Sequence, residues 1–184
     1  MSLAGRVALV TGGGRGVGRG IALSLAADGA FVAVNYRRDQ EAAEATVADI
    51  ESCGGKAQAY AASIDRYDEN AAMVTAIEAD HGPIGILVNN AGIASRGQSV
   101  ADTQPEELQR VMATHALGPH YLSGLVLPGI EDQAYFSIVK LPQQIDLHTA
   151  AKLAKAPLLN IRFLNAGFKR WATDPLGPHR LLIP

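Results

Sequence analysis

VALVTGGGRGVGRGIAL, residues 7–23, runs from an apolar stretch into six glycines within nine residues and out into a segment whose apolar residues recur at helical spacing. The order strand, bare backbone, helix start decides the fold. Backbone N–H groups at a helix N-terminus lack intrahelical partners and lie at the positive end of the helix dipole, so a glycine turn between strand and helix offers donors to an anion and lets it come close. Thr11, Gly12, Gly16 and Gly18, in the spacing Gly12-x3-Gly16-x-Gly18, form a relative of the dinucleotide fingerprint, whose usual form is G-x-G-x-x-G. A turn of this kind can also exist only to pack helix on strand. Its place directly after the first strand favours phosphate binding.

Working outward, RVALVT (6–11), FVAVNY (31–36), KAQAYAA (56–62) and ILVNN (86–90) read as strands, and residues 18–28, 39–52 and 68–80 read as helices. Near-continuous apolar strands suit a sheet covered on both faces. Strand alternating with helix predicts parallel pairing by right-handed crossovers, hence an α/β, doubly wound, Rossmann-type sheet, with all 184 residues in a single dinucleotide-binding domain. A hydrophobic fraction of 48% is enough for a sizeable core, and a net charge of −2 gives no electrostatic case for nucleic acid. Apolar runs end well short of a membrane span, and the first residues lack a secretory pattern, so the expected location is cytoplasmic. Cys53 is the one cysteine and reads as incidental; no metal ligand set is expected, since His115, His120 and His148 lack ligand spacing.

LVNNAG, residues 87–92, closes the fourth strand where an open α/β sheet binds its ligand. Together with TGGGRGVG it resembles the short-chain dehydrogenase/reductase family over about residues 1–130, closest in flavour to 3-oxoacyl-carrier-protein reductases. The resemblance implies that Thr11, Gly12, Gly16 and Gly18 carry a cofactor diphosphate and that Asn89, Asn90, Ala91 and Gly92 border the adenine-ribose side. It also implies a small carbonyl or alcohol substrate and pairing of copies through long interface helices. Cofactor choice follows from charge. An NAD enzyme places Asp or Glu after the second strand, whereas this chain has Tyr36 and Arg37 there and Arg15 in the turn, which suits a 2′-phosphate. NADP(H) is therefore favoured over NAD(H); Arg37 and Arg38 as a merely solvated pair is the plainer alternative.

The second half departs from the family pattern of Asn, Ser and Tyr-x-x-x-Lys. His115, in HALG, stands where the family has Asn, and YFSIVKL (135–141) makes a plausible fifth strand with no serine after it. Tyr135 and Lys140 are five apart, wrong for one helix face and for one strand face alike. HTAAKLA (148–154) has the right spacing, with His148 in the tyrosine position and Lys152 retained. A nearby ammonium pushes an imidazole pKa down and leaves a poor acid, although histidine remains capable of acid/base work. NIRFLNAGF (160–168) echoes the family's sixth strand, yet only eight residues separate Lys152 from Ile161. Two functions stand: hydride transfer between NADP(H) and a carbonyl/alcohol pair with His148, Lys152 and His115 as catalytic candidates, or a nucleotide-binding module with little turnover.

Overall fold

The computed structural model describes residues 2–130, 137–141, 143–165 and 180–183. They divide into two compact units, Met1–Glu131 and Asp132–Pro184, where the sequence reading expects one domain.

The first unit alternates β1 (Val7–Val10), α1 (Gly16–Ala27), β2 (Phe31–Tyr36), α2 (Gln40–Ser52), β3 (Lys56–Ala61), α3 (Tyr67–His81) and β4 (Ile84–Val88), followed by α4 (Pro105–Met112) and α5 (Gly118–Val126). A π-helical turn, Ala113–Leu117, joins the last two. The strands form a parallel sheet in the order β3-β2-β1-β4, as the alternating pattern predicts.

Side-chain alternation along each strand explains why both faces are covered. Val7, Leu9 and Ala33 point to one face, where Met73, Val74 and Ile77 of α3 and Leu122 and Val126 of α5 close over them. Ala8, Val10, Val32 and Val34 point to the other, beneath Ala22 and Ala26 of α1 and Ala43 and Ile50 of α2. Alanines on α1 and α2 let those helices lie close to the strands. Between β1 and β4 the register slips, Val7 pairing with Ile84 but Ala8 with Ile86, so Gly85 is an unpaired extra residue, a bulge where a side chain would have no ladder partner.

In the second unit, β5 (Ser137–Lys140) pairs antiparallel with β6 (Arg180–Ile183), and α6 (Leu147–Ala154) and α7 (Leu158–Leu164) lie between them in sequence. This corrects two expectations. The run read as a fifth strand of the doubly wound sheet belongs to a separate two-stranded sheet, and Tyr135 lies outside the described residues. The segment read as a sixth strand begins as helix, because Pro157 opens α7 and Leu158, Ile161 and Leu164 recur at helical spacing; a short apolar run fits either period until its neighbours decide. Residues 166–168 of that segment lie outside the described residues.

Leu147, Ala150, Ala151, Ile161 and Leu181 make the core of this unit. Asp146 caps α6 by accepting from the His148 and Thr149 N–H groups at 3.0 and 2.9 Å. Asn165, 8% exposed, closes α7 onto β6: its Nδ2 donates to Ile161 O and Leu182 O, both at 2.8 Å, and its Oδ1 accepts from Leu182 N–H at 2.9 Å.

Among the described residues Ile161 is a fully buried side chain of the second core, and its truncation tests that core. Ile161→Ala removes a fully buried side chain at a cost of ~2–5 kcal/mol, comparable to the whole stability of a unit this size. Amide resonances of residues 137–165 should collapse toward random-coil shifts while those of β1–β4 stay dispersed; joint loss of both sets would show that the two units do not fold independently.

Candidate functional site

The carboxyl ends of β1 and β4 meet at one buried hydroxyl. Thr11, fully buried, donates from Oγ1 to Val88 O at 3.1 Å and accepts the Asn90 and Ala91 N–H groups, both at 2.9 Å. Asn90 answers from the other strand: its Nδ2 donates to Thr11 O at 2.8 Å and Gly12 O at 3.3 Å. Sequence reading assigned the two motifs to one site. The structure joins them by hydrogen bonds between their own residues.

The glycines divide the work. Gly12 and Gly16 have φ of +62° and +55°, a region that disfavours side chains, and a Cβ on Gly16 would project into open space. Gly18 is bare for a different reason: a Cβ there would run into Asn90 Nδ2 and Gly12 O, so the side chain that ties β4 to the turn needs this position empty. No side chain caps α1 at Arg15, its N-cap residue.

Above this junction opens a cavity of about 590 Å³, lined by the turn, the ends of β2 and β3 and the segment after β4. Of the predicted cofactor residues, Gly12, Arg15, Gly18, Arg37, Asn90, Ala91 and Gly92 line it; Thr11 and Gly16 support the turn. Arg15, Arg37 and Arg38 are exposed along the rim. Arg15 lies 3.8 Å from Asp39, both side chains largely solvated, so the pair contributes ~0–1 kcal/mol and leaves the guanidinium free to take a better anion. Asp39 is occupied as the cap of α2, accepting from Ala42 N–H at 3.1 Å.

Several polar lining groups escaped the sequence reading, Asn35, Ser63, Asp65, Arg110 and Thr114 among them. Asn35 is a polar residue at the end of an apolar strand, and that break in the apolar run is its mark in the sequence. Ser63 and Asp65 follow β3, where Ser63 Oγ donates to Asp65 and Ser63 N–H to Glu69 Oε2 at 2.7 Å. Arg110 reaches the lining from α4, held by Glu107 at 3.0 Å. Glu107, 9% exposed, also accepts Arg96 N–H at 3.0 Å, and so anchors the segment after β4 to the helix. That backbone bond, with the Arg110 and Arg96 guanidiniums, holds its carboxyl below the ordinary value.

The catalytic candidates fall in different units. His115, on the π-helical turn, is exposed and its Nε2 lies 2.8 Å from Ile93 O and 3.1 Å from Ile93 N; the protonated tautomer donates to the former, the other accepts from the latter. Its ring also packs where a Cβ on Gly92 would sit. His148 and Lys152 are exposed on α6 of the second unit, four residues apart on one helix. Among the described residues, no group of three or more His, Cys, Asp or Glu could hold a metal ion, and no helix is long and apolar enough to cross a membrane.

A family model for short chain dehydrogenase matches residues 6–143, and one for the LysM-like domain of the lytic transglycosylase MltD matches residues 135–184. An uncharacterized oxidoreductase, YgfF of Escherichia coli K12, is 43% identical over 112 residues, covering 61% of this chain and 45% of that protein. A short-chain dehydrogenase/reductase homolog, YusS of Bacillus subtilis 168, is 46% identical over 93 residues, covering 50% of this chain and 85% of that one. A metagenomic short-chain oxidoreductase, solved in complex with NADP, superposes with a TM-score of 0.67 at 36% identity, covering 70% of this chain and 58% of the other. The chain thus spans about half the length of YgfF and of that solved relative.

The Glu107 anchor makes a pH prediction. Because folding lowers its pKa from an ordinary 4.5, its contribution is complete above that value and is lost as pH falls through the lowered one. Urea midpoints of the wild type should therefore drop on acidification below pH ~4.5, and Glu107→Gln, which cannot titrate, should drop less steeply. Parallel curves would detach this carboxyl from stability.

Proposed function

Because the chain belongs to the short-chain dehydrogenase family, we propose that its first unit binds NADP(H) and serves hydride transfer between that cofactor and a small carbonyl or alcohol substrate. The observation that carries this reading is the cavity, which joins a glycine turn, crowded at Gly18 and at positive φ in Gly12 and Gly16, to a rim of three arginines. The residues present fit the group. The first turn of α1, with Val17 and Gly18, offers a helix N-terminus to a diphosphate; Ala91 and Gly92 flank the adenosine side; Arg15 and Arg37 offer charge-assisted bonds to a 2′-phosphate. The NADP complex of the metagenomic relative supports the same cofactor. When bound, the nicotinamide supplies or accepts the hydride. The chain's own part is to hold the cofactor in place and to move a proton at the substrate oxygen, for which His148, Lys152 and His115 are the candidates. The resemblance to 3-oxoacyl-carrier-protein reductases supports an oxo group as the acceptor.

A second reading has its own observation. His148 and Lys152 lie in the unit whose sequence matches a LysM-like domain, and its β5-α6-α7-β6 order is a self-contained antiparallel arrangement. On this reading that unit is a module of its own, and the chain binds nucleotide with little turnover.

Two measurements test the proposal. NADPH should bind more tightly than NADH by ~1–3 kcal/mol, the scale of hydrogen bonds to a charged group, and Arg37→Asp should reverse the order in calorimetric titrations; equal affinities at low salt would defeat the assignment. NADPH oxidation followed at 340 nm with a panel of ketones then separates the readings. If α6 supplies the acid, Lys152→Ala should lower the rate by ~10²–10⁴-fold and His148→Tyr should raise it, the phenol lying one turn from the ammonium. Binding without turnover in all three proteins supports the second reading, and brisk turnover indifferent to both substitutions would place the acid elsewhere.

A further inference from the structure

Asn35 is 2% exposed, reaches the cavity lining and sits at the end of β2 on the face covered by α3. Its amide is spent mainly on backbone, from the glycine turn, its own strand and the end of β3. Oδ1 accepts Gly12 N–H of the glycine turn at 3.3 Å. Nδ2 donates toward Ala62 O at 3.1 Å and Tyr60 O at 3.3 Å at the end of β3, with Tyr36 O and Met73 Sδ at 3.4 Å. Its own carbonyl accepts Gly13 N–H at 3.1 Å. One acceptor faces the donor of the turn and two donors face carbonyls, so the orientation of the amide is set by the network.

We propose that Asn35 is a positioning residue for the cofactor diphosphate, acting through Gly12. By engaging the Gly12 N–H it fixes the entry of the turn at a φ of +62° and directs the later turn backbone and the start of α1, rather than Gly12 itself, toward the ligand. By binding Ala62 O it ties that turn to the segment carrying Ser63 and Ile64, which also line the cavity. A single side chain therefore sets the spacing between the glycine turn and the segment after β3 across the cavity. Neither valine nor leucine, the residue types that suit the rest of β2, could do so, because each lacks the acceptor for the part-buried Gly12 N–H and the donor for Ala62 O.

This rests on the NADP(H) reading above, and the test separates the two. Kd values for NADPH and for adenosine 2′-monophosphate, which lacks the diphosphate, are measured for the wild type and Asn35→Leu. Loss of the buried bonds should raise the NADPH Kd ~10–100-fold, while adenosine 2′-monophosphate shifts by no more than ~3-fold. Equal weakening of both ligands would make Asn35 merely structural, and an unchanged NADPH Kd in the variant would overturn the proposal outright. Failure of the wild type to bind NADPH overturns the cofactor reading and this inference with it. Should Asn35→Leu not fold, amide exchange in the wild type decides: Gly12 N–H should be protected without nucleotide and stay so when NADPH is added, and free exchange of Gly12 in the ligand-free protein would refute its engagement by Asn35.

Discussion

The hydroxyl of Thr11 is the fastening on which the first unit depends. One donated and two accepted hydrogen bonds bring the end of β1 and the segment after β4 into a single junction, and each is worth ~0.5–1.5 kcal/mol net. Parallel strands need such a device. Their crossovers leave strand ends unjoined by any turn, so the loops that carry chemistry drift unless a side chain pins them. Asn90 and Asn35 repeat the device on either side, both using side-chain amides to satisfy the backbone of the glycine turn.

That fastening explains why the turn is so rich in glycine. Gly18 is empty so that Asn90 can reach across, and the positive φ of Gly16 keeps the entry to α1 free of a side chain. Electrostatics then follow from position. The guanidiniums of Arg15, Arg37 and Arg38 sit in solvent at the rim, where an ion pair such as Arg15 with Asp39 is weak, yet a phosphate held by backbone donors as well would gain from each of them. Glu107 is the counterpart below: buried, bonded to two arginines and a backbone N–H, it fixes the loop after β4 instead of contacting a ligand.

The second unit is stabilised on another principle. Among its described residues the buried apolar cluster is Leu147, Ala150, Ala151, Ile161 and Leu181, and polar bonds add to it: Asp146 caps α6, and Asn165 stands in for a strand residue by exchanging two hydrogen bonds with Leu182. A side chain that mimics backbone pairing lets a helix end directly against a sheet edge, which a small apolar core could not enforce alone.

What the sequence by itself determined is the part governed by local rules. Alternation of apolar strands with amphipathic helices specified the parallel sheet through β4, and glycine spacing with NNAG pointed to the strand ends that line the cavity, because periodicity and left-handed backbone leave direct marks on residue type. Tertiary structure alone decided the rest. Residues 158–164 are helical because Ile161 and Leu158 meet the small core of α6 and β6, a contact across distant sequence; the same run carries an equally good strand pattern. Asn35 interrupts an apolar strand, but its role, like those of Ser63 and Glu107, lies in hydrogen bonds that involve backbone, up to 27 positions away. Hydrogen-bond partners of that kind are a property of the folded arrangement, and no local spacing encodes them.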